Sequence, residues 1–200
     1  MSDSPNSDSQ LTQRTLVQRR ILQAEVYKRP DGLWDIESSI TDTKGKDFKL
    51  MSGLRELGTP VHQMKFVITI DLRMNIVAVI AEPLFVAYPG FCEKVAPEYQ
   101  KLLGLNLLDN FKNNVKERLG GMQGCTHMTE LCSILPTVAI QAFVGEVDVS
   151  PKKKSSEDLP QELPFQYNRC FALKTDGEAV KTYHPKWYGF PVKPGRFVGK

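Results

Sequence analysis

A glycine cluster followed by a cysteine and a histidine is the stretch in which reactive side chains meet unusual backbone. Gly120, Gly121 and Gly124 precede Cys125 and His127, which open an apolar segment with helical spacing. A thiol at the start of a helix lies near free backbone N–H groups and the positive end of the helix dipole, and both lower its pKa. Glycines let the backbone approach whatever the thiolate holds. The stretch therefore predicts a site at the beginning of a helix.

Two further residues of suitable type stand at the ends of predicted elements. His62 begins a strand, and Cys92 follows a Pro-Gly pair at a strand-to-helix junction. With Cys125 and His127 they form a set of thiolates and imidazoles that suits Zn²⁺ or an iron–sulfur cluster. Cys132 lies two helical turns after Cys125 on the apolar stripe, and we expect it to fill the core.

The same residues also predict a nucleophilic dyad. Cys125 would be the nucleophile, and His127 or His62 would be its base. A third group, such as Asp35 or Glu130, would orient the histidine. The spacing alone does not choose between a metal site and a dyad.

The acidic residues of the first predicted hairpin, and of the residues after it, do not form a recognisable catalytic or metal-binding motif. Four carboxylates are spread along a predicted hairpin and the residues after it, where we expect them to face solvent and keep the protein soluble: Asp35, Glu37, Asp42 and Asp47. No phosphate-binding loop and no dinucleotide fingerprint occurs in the sequence, so nucleotide chemistry is not predicted.

Composition sets the class of protein. The chain has 200 residues, 41% of them hydrophobic, and a formal net charge of +3, which suits one globular domain with an appended piece. No apolar run approaches the roughly 20 residues needed to span a bilayer, and the polar N-terminus lacks a secretory signal. We expect a cytoplasmic protein with four reduced cysteines. Neither nucleic acid nor a membrane is expected as a partner, whereas a protein partner and the oligomeric state stay open.

The elements that must position these residues predict an α+β fold. Alternating patterns predict four strands, the first two joined by the turn residues Pro30-Asp31-Gly32: 22–27, 33–43, 61–70 and 76–88. Pro83 indicates an edge position or a bulge. Three helices are predicted over 93–103, 109–119 and 126–145, the last with Pro136 inside it. We expect an antiparallel sheet of about four strands packed against a three-helix layer, with a C-terminal β-hairpin.

Composition also divides the chain into four parts. Residues 1–14 are polar and expected to be disordered. Residues 15–148 form the α+β core domain, and residues 149–163 are a charged, proline-containing linker. Residues 164–200 are predicted to form the C-terminal hairpin and a tail packed on the core, with strands on either side of residues 175–177.

The chain resembles a bacterial family of proteins of unknown function, DUF2889. The resemblance extends from about residue 20 to residue 188, and the block 120–131 is specific to the family. The other blocks that carry it are residues 27–37, 41–44, 60–62, 88–92, 169–170 and 176–178. Because the family name implies no activity, the resemblance points to a site without naming a reaction.

A more distant resemblance concerns the order of elements from residue 61 onward. Strand, turn, strand, cysteine, two helices and a cysteine-containing helix are similar to the iron–sulfur scaffold proteins of the NifU/IscU type. By position, this resemblance implies ligand roles for His62, Cys92 and Cys125, with His127 nearby. His62 stands where that family has a cysteine, and a site with fewer thiolates favours Zn²⁺ or a weakly held cluster.

Three functions follow from these observations. The first is a metal- or Fe–S-binding accessory protein that uses Cys92, Cys125, and His62 or His127. The second is an enzyme with a Cys125 nucleophile and a histidine base. The third is a non-catalytic module, without a cofactor, whose aromatic and basic C-terminus binds a protein partner. The first two depend on which of these side chains the fold brings together.

Overall fold

A computed structural model describes residues 13–146, 163–164 and 166–191. The chain divides into two compact units, Met1–Ala139 and Ile140–Lys200. The predicted disordered N-terminus and the predicted linker lie almost entirely outside the described residues, so both stay predictions. The first unit contains the elements that carry the predicted site residues.

A four-stranded antiparallel sheet is the scaffold of the first unit and confirms the α+β class. Its strands are β1 (Gln18–Lys28), β2 (Trp34–Lys44), β5 (Pro60–Ile70) and β6 (Ile76–Phe85). Two short strands between them, β3 (Phe48–Leu50) and β4 (Gly53–Arg55), pair as a separate hairpin. The spatial order β1-β2-β5-β6 makes β1 and β6 the edges. Pro83 lies on β6, beside a register shift, as expected of a proline within a strand.

The alternation of β2 determines which face of the sheet is buried. Trp34, Ile36, Ser38 and Ile40 are at most 3% exposed, whereas the residues between them are partly exposed. One face therefore packs on the core and the other meets solvent, as is common in antiparallel sheets. Gly32, with φ of +83°, allows the tight turn that joins β1 and β2.

Helical segments follow the last strand of the sheet, and two of them pack on the sheet. They are a 3-10 helix (Cys92–Leu102), α1 (Phe111–Leu119), α2 (Thr126–Cys132) and α3 (Leu135–Phe143). The 3-10 helix packs on β6, and α2 packs on β2 and β5. Helix α1 packs on the 3-10 helix and on α2. The single helix predicted over 126–145 is two helices, because Pro136 is not tolerated in a helix interior and instead lies in the first turn of α3. Among the described residues, no helix has the length and apolar character needed to cross a membrane.

The second unit has a helix where a β-hairpin was predicted. Glu178–Tyr183 forms α4 directly after Gly177, so the described residues do not form the C-terminal hairpin. The helix is favoured because it brings Val180 into a small cluster with Tyr167 and Trp187, each at most 3% exposed. Burial of these side chains outweighs the local turn signal around residues 175–177. Packing of this segment on the core domain stays a prediction.

Ser38 provides a test of the buried face. Its hydroxyl is buried and has no hydrogen-bond partner among the described residues, which costs free energy. We expect Ser38→Ala to increase the free energy of unfolding by about 1 kcal/mol in urea titrations. Ser39→Ala, on the solvent-facing side of the same strand, is the matched control and should change it by less than about 0.5 kcal/mol. A clear loss of stability in Ser38→Ala would contradict the assignment of this face.

Candidate functional site

Three adjacent strands place polar side chains next to one another at one end of the sheet. Arg20 of β1 pairs in register with Asp42 of β2, and Asp42 pairs with His62 of β5. Asp42 continues the buried row of β2 and is 3% exposed. The register shifts immediately after it, between Asp42 and Thr43. The sheet therefore brings a guanidinium, a carboxylate and an imidazole onto its helix-covered face.

The Asp42 carboxylate is neutralised by a two-pronged contact with Arg20. Arg20 Nε donates to Asp42 Oδ1 at 2.7 Å, and Nη2 donates to Oδ2 at 2.7 Å. The third nitrogen, Nη1, donates to the carboxylate of Glu130 on α2. A buried carboxylate is tolerated only when its charge is paired and hydrogen-bonded, and the planar guanidinium fork provides both. Arg20 therefore fixes Asp42 and also connects β1 to α2.

Helix α2 adds a second imidazole to the same carboxylate. His127 Nε2 lies 3.2 Å from Asp42 Oδ2, and His62 Nδ1 lies 3.6 Å from that oxygen. The two imidazole rings stack, with centroids 4.0 Å apart and an interplanar angle of 30°. One donor atom from each of Asp42, His62 and His127 lies within 4.8 Å of the other two. This group of three could hold a metal ion.

Cys125 contacts the opposite nitrogen of His127. Its Sγ lies 3.8 Å from His127 Nδ1, whereas Nε2 faces Asp42. The order thiol, imidazole, carboxylate is the one that an activated cysteine nucleophile requires. Because Cys125 and Asp42 lie on different sides of the ring, a metal bound between Asp42 and Nε2 is not within reach of the thiol.

Tyr99 holds the backbone at Cys125. Its ring is fully buried, and its hydroxyl accepts a hydrogen bond from the Cys125 N–H at 2.9 Å. The same hydroxyl lies 2.9 Å from the Cys125 carbonyl oxygen and 3.0 Å from Thr129 Oγ1, to one of which it donates. The start of α2 is therefore fixed to the core on both sides of the Cys125 peptide, and the positions of Cys125 and His127 follow from it.

The glycine cluster shapes the connection between α1 and α2. A Cβ on Gly120 would lie 2.3 Å from the Lys116 carbonyl oxygen, and one on Gly124 would lie 2.4 Å from that of Leu119. Gly121 has a φ of +60°, which favours glycine. The cluster is thus required for a close reversal of the chain. Its expected role in approaching a ligand of the thiolate is not needed to explain it.

The electrostatic environment shifts the pKa values of the two histidines in opposite directions. Burial disfavours the carboxylate of Asp42, but the hydrogen bonds and charge of Arg20, together with the two neighbouring imidazoles, outweigh burial and hold its pKa below the usual range. Burial and then the neighbouring His127 lower the pKa of His62. The hydrogen bond with Cys125 raises the pKa of His127 although burial opposes it. His62 is therefore neutral near pH 7, the form that binds metals.

Cys125 has the environment of a reactive thiol. Burial raises its pKa, but the contact with His127 and hydrogen bonds from the backbone N–H groups of Met128 and His127 act in the other direction and lower the pKa overall. Cys132 shows the opposite behaviour, because burial raises its pKa to about 12. The interpretation of Cys132 as a core residue is confirmed, since it is 1% exposed.

The fold brings together three of the four residues that the sequence predicted as ligands. His62, Cys125 and His127 lie in one site. Cys92 begins the 3-10 helix and does not belong to the group of donor atoms. The part of the chain that the structure describes shows no cluster of cysteines suited to an iron–sulfur centre. The ligand set of thiolates and imidazoles stays a prediction, and the structure offers Asp42, His62 and His127 instead.

Asp42 and Arg20 are the two site residues that the sequence interpretation missed. Asp42 was expected to face solvent, and that expectation is wrong because its side chain is 4% exposed. The alternation of β2 contains the missing signal, since Asp42 is in phase with Ile36 and Ile40 and therefore points to the core. Arg20 follows from Asp42, because a buried carboxylate requires a cationic partner on an adjacent strand.

The pKa of Asp42 predicts how stability depends on pH in the metal-free protein. Because its folded pKa is lower than its unfolded value of about 3.9, its charged form stabilises the fold above about pH 4. This contribution disappears as the pH falls through the folded pKa. We expect Asp42→Asn to lower the free energy of unfolding by roughly 1–3 kcal/mol at pH 7, because Arg20 loses the buried one of its two carboxylate partners. The difference from wild type should shrink toward pH 3.

Urea unfolding at a series of pH values, in the presence of a chelator, measures this dependence. Glu117→Gln is the matched control, because Glu117 is exposed on α1 and its replacement should have little effect at any pH. A difference between wild type and Asp42→Asn that stays constant from pH 7 to pH 3 would contradict the charged, Arg20-paired state of Asp42.

Comparison with known proteins confirms the family resemblance over residues 18–141, and the expected extension to residue 188 stays a prediction. The model of the family described as "Protein of unknown function (DUF2889)" matches residues 18–141, which include every residue of this site. No curated protein and no solved structure matches the chain, and nothing in these comparisons supports the likeness to iron–sulfur scaffold proteins. The family match covers more than half of the 200 residues. The chain therefore belongs to the DUF2889 family.

Proposed function

We propose that this protein binds one divalent transition-metal ion through Asp42, His62 and His127 and acts as a metal-binding accessory protein. The observation that carries the proposal is the convergence of Asp42 Oδ2, His62 Nδ1 and His127 Nε2, with distances of 3.2 and 3.6 Å from the carboxylate oxygen. These atoms come from two strands and one helix, and their convergence follows from the register of the sheet and from the anchoring of α2.

The distances agree with those of a tetrahedral site. Zinc binds imidazole nitrogen and carboxylate oxygen at roughly 2.0–2.2 Å, so two ligand atoms on one tetrahedral zinc lie roughly 3.3–3.6 Å apart. The distances from Asp42 Oδ2 to the nitrogens of His127 and His62 fall in or next to this range. The donor nitrogens of His62 and His127 lie within 4.8 Å of each other. The neutral state of His62, favoured by its lowered pKa, also suits a ligand.

The chemistry of the donors limits the choice of metal. Two imidazoles and a carboxylate suit Zn²⁺ or Fe²⁺, whereas Ca²⁺ and Mg²⁺ prefer all-oxygen sites. Arg20 occupies one position on each oxygen of Asp42, which favours a monodentate carboxylate. Three protein ligands leave further coordination positions open. The side chains of His62 and His127 are 22% and 18% exposed, so solvent or a partner's ligand can reach those positions.

Cys125 supports the metal site indirectly. A metal on His127 Nε2 leaves Nδ1 as a hydrogen-bond donor, and Cys125 Sγ at 3.8 Å is its acceptor. Partners of this kind orient metal-binding histidines and increase their basicity. Cys125 is therefore proposed as the hydrogen-bond partner of a ligand, in place of the direct ligand role predicted from the sequence.

Metal titration of the purified chain tests this proposal. Isothermal calorimetry with Zn²⁺, or optical titration with Co²⁺, should show one ion per chain, and His62→Ala and His127→Ala should each weaken binding roughly 100-fold or more. The chain has three histidines, and His184→Ala, in the second unit, is the matched control that should leave binding unchanged. Absence of stoichiometric binding, or equal losses in all three variants, would contradict the metal site.

A second candidate function rests on the chain of contacts from Cys125 through His127 to Asp42. This geometry supports an enzyme with a Cys125 nucleophile, a His127 base and an Asp42 that orients the imidazole. Of the two candidate bases, His127 is favoured, because its Nδ1 lies 3.8 Å from the thiol. The third interpretation, a non-catalytic module that binds a protein partner, stays a prediction.

Selective alkylation tests the nucleophile. In chelator at pH 7, iodoacetamide should modify Cys125 faster than the exposed Cys170, because the environment of Cys125 favours its thiolate. His127→Gln should slow the modification of Cys125 and leave that of Cys170 unchanged, as followed by peptide mass spectrometry. If Cys125 reacts no faster than Cys170 in the unaltered protein, the nucleophile assignment is wrong.

A further inference from the structure

A cavity between α1 and α2 lies apart from the metal and thiol site. Its volume is about 180 Å³, and its apolar wall consists of Phe111 and Val115 from α1 and Cys132 from α2. An engineered apolar cavity of about 150 Å³ binds benzene, whereas drug-sized ligands require about 300–1,000 Å³. The cavity therefore has room for one aromatic ring or a short branched aliphatic chain.

The two hydroxyl groups that line the cavity do not require a hydrogen bond from a ligand. Thr129 Oγ1 lies 3.0 Å from Tyr99 Oη, and Ser133 Oγ donates to the Glu130 carbonyl oxygen at 2.7 Å. Because these groups already have partners, the body of a ligand meets carbon and sulfur surface and gains mainly from the burial of apolar area.

Two lysines at the cavity favour a ligand with a negative charge. Lys112 and Lys116 both line the cavity and lie four residues apart on α1, where like charges repel. Neither ammonium forms an ion pair with a described carboxylate. An anionic group placed between them would remove this repulsion and gain attraction from both. A partly open apolar cavity beside two lysines that form no ion pair with a described residue is complementary to a molecule with an apolar body and one negative end.

We propose that this cavity binds a small monocarboxylate whose body is one aromatic ring or a short branched alkyl chain. The apolar body lies against Phe111, Val115 and Cys132, and the carboxylate lies between Lys112 and Lys116. The site shares no side chain with Asp42, His62 and His127, so it does not depend on the proposed metal. It adds a small-molecule binding activity to the protein.

Benzoate is the probe for this cavity. Calorimetry or chemical-shift titration of the full chain should show saturable binding of benzoate, and benzamide, its neutral isostere, should bind roughly tenfold more weakly. The double variant Lys112→Gln/Lys116→Gln should weaken benzoate roughly tenfold. Lys46→Gln/Lys49→Gln removes the same charge elsewhere on the first unit and should leave the affinity unchanged.

A second variant tests the apolar part of the proposal independently of charge. Ser133 is exposed on the cavity rim, so Ser133→Phe can fill the cavity without disturbing the core, and it should abolish benzoate binding while the circular dichroism spectrum is retained. Inorganic phosphate should not compete, because it lacks an apolar body. The proposal is overturned if benzoate fails to bind at millimolar concentration, if benzamide binds equally well, or if benzoate binds Ser133→Phe as it does wild type.

Discussion

The site depends on the pairing of the buried Asp42 carboxylate with Arg20. Removing an ionised carboxylate from water costs several kcal/mol unless it is paired and hydrogen-bonded. Arg20 supplies two hydrogen bonds at 2.7 Å, and the imidazoles of His62 and His127 face the remaining side of Oδ2. One charge at the end of the buried row of β2 therefore determines the positions of residues from β1, β5 and α2.

His127 belongs to both the proposed metal site and the proposed nucleophilic site. Its two ring nitrogens contact different groups, with Nε2 toward Asp42 and Nδ1 toward Cys125. A metal on Nε2 would leave Nδ1 protonated, and the imidazole could no longer accept a proton from the thiol. The two candidate functions therefore exclude each other in one molecule at one time. Under these two proposals, Cys125 is the nucleophile of the metal-free protein and the hydrogen-bond acceptor of the metal-bound one.

Local patterns predicted the scaffold better than the site. The alternation of β2 and the turn at Gly32 were sufficient for the first hairpin, and the sequence placed His62, Cys125 and His127 at element ends. The site itself depends on long-range pairing, because Arg20, Asp42 and His62 meet only through the register of three strands. Asp42 is polar and was expected to face solvent, although its phase in β2 places it in the core.

The prediction of a C-terminal hairpin was wrong for a different physical reason. A turn signal at residues 175–177 predicted a hairpin, but a hairpin of two strands is marginal without a sheet to join. Val180 gains more from burial beside Tyr167 and Trp187 on a helix. The position of Cys92 at a strand-to-helix junction resembles that of Cys125, but Cys92 is not in the group of three donors found among the described residues.

X-ray absorption spectroscopy of the zinc-loaded protein tests the central claim most directly. We expect a first shell of nitrogen and oxygen at roughly 2.0–2.1 Å, with the outer-shell scattering of two imidazoles and no sulfur at roughly 2.3 Å. A sulfur shell at roughly 2.3 Å would show that Cys125 or another thiol is a direct ligand. That result would contradict the assignment of Asp42, His62 and His127 as the metal site.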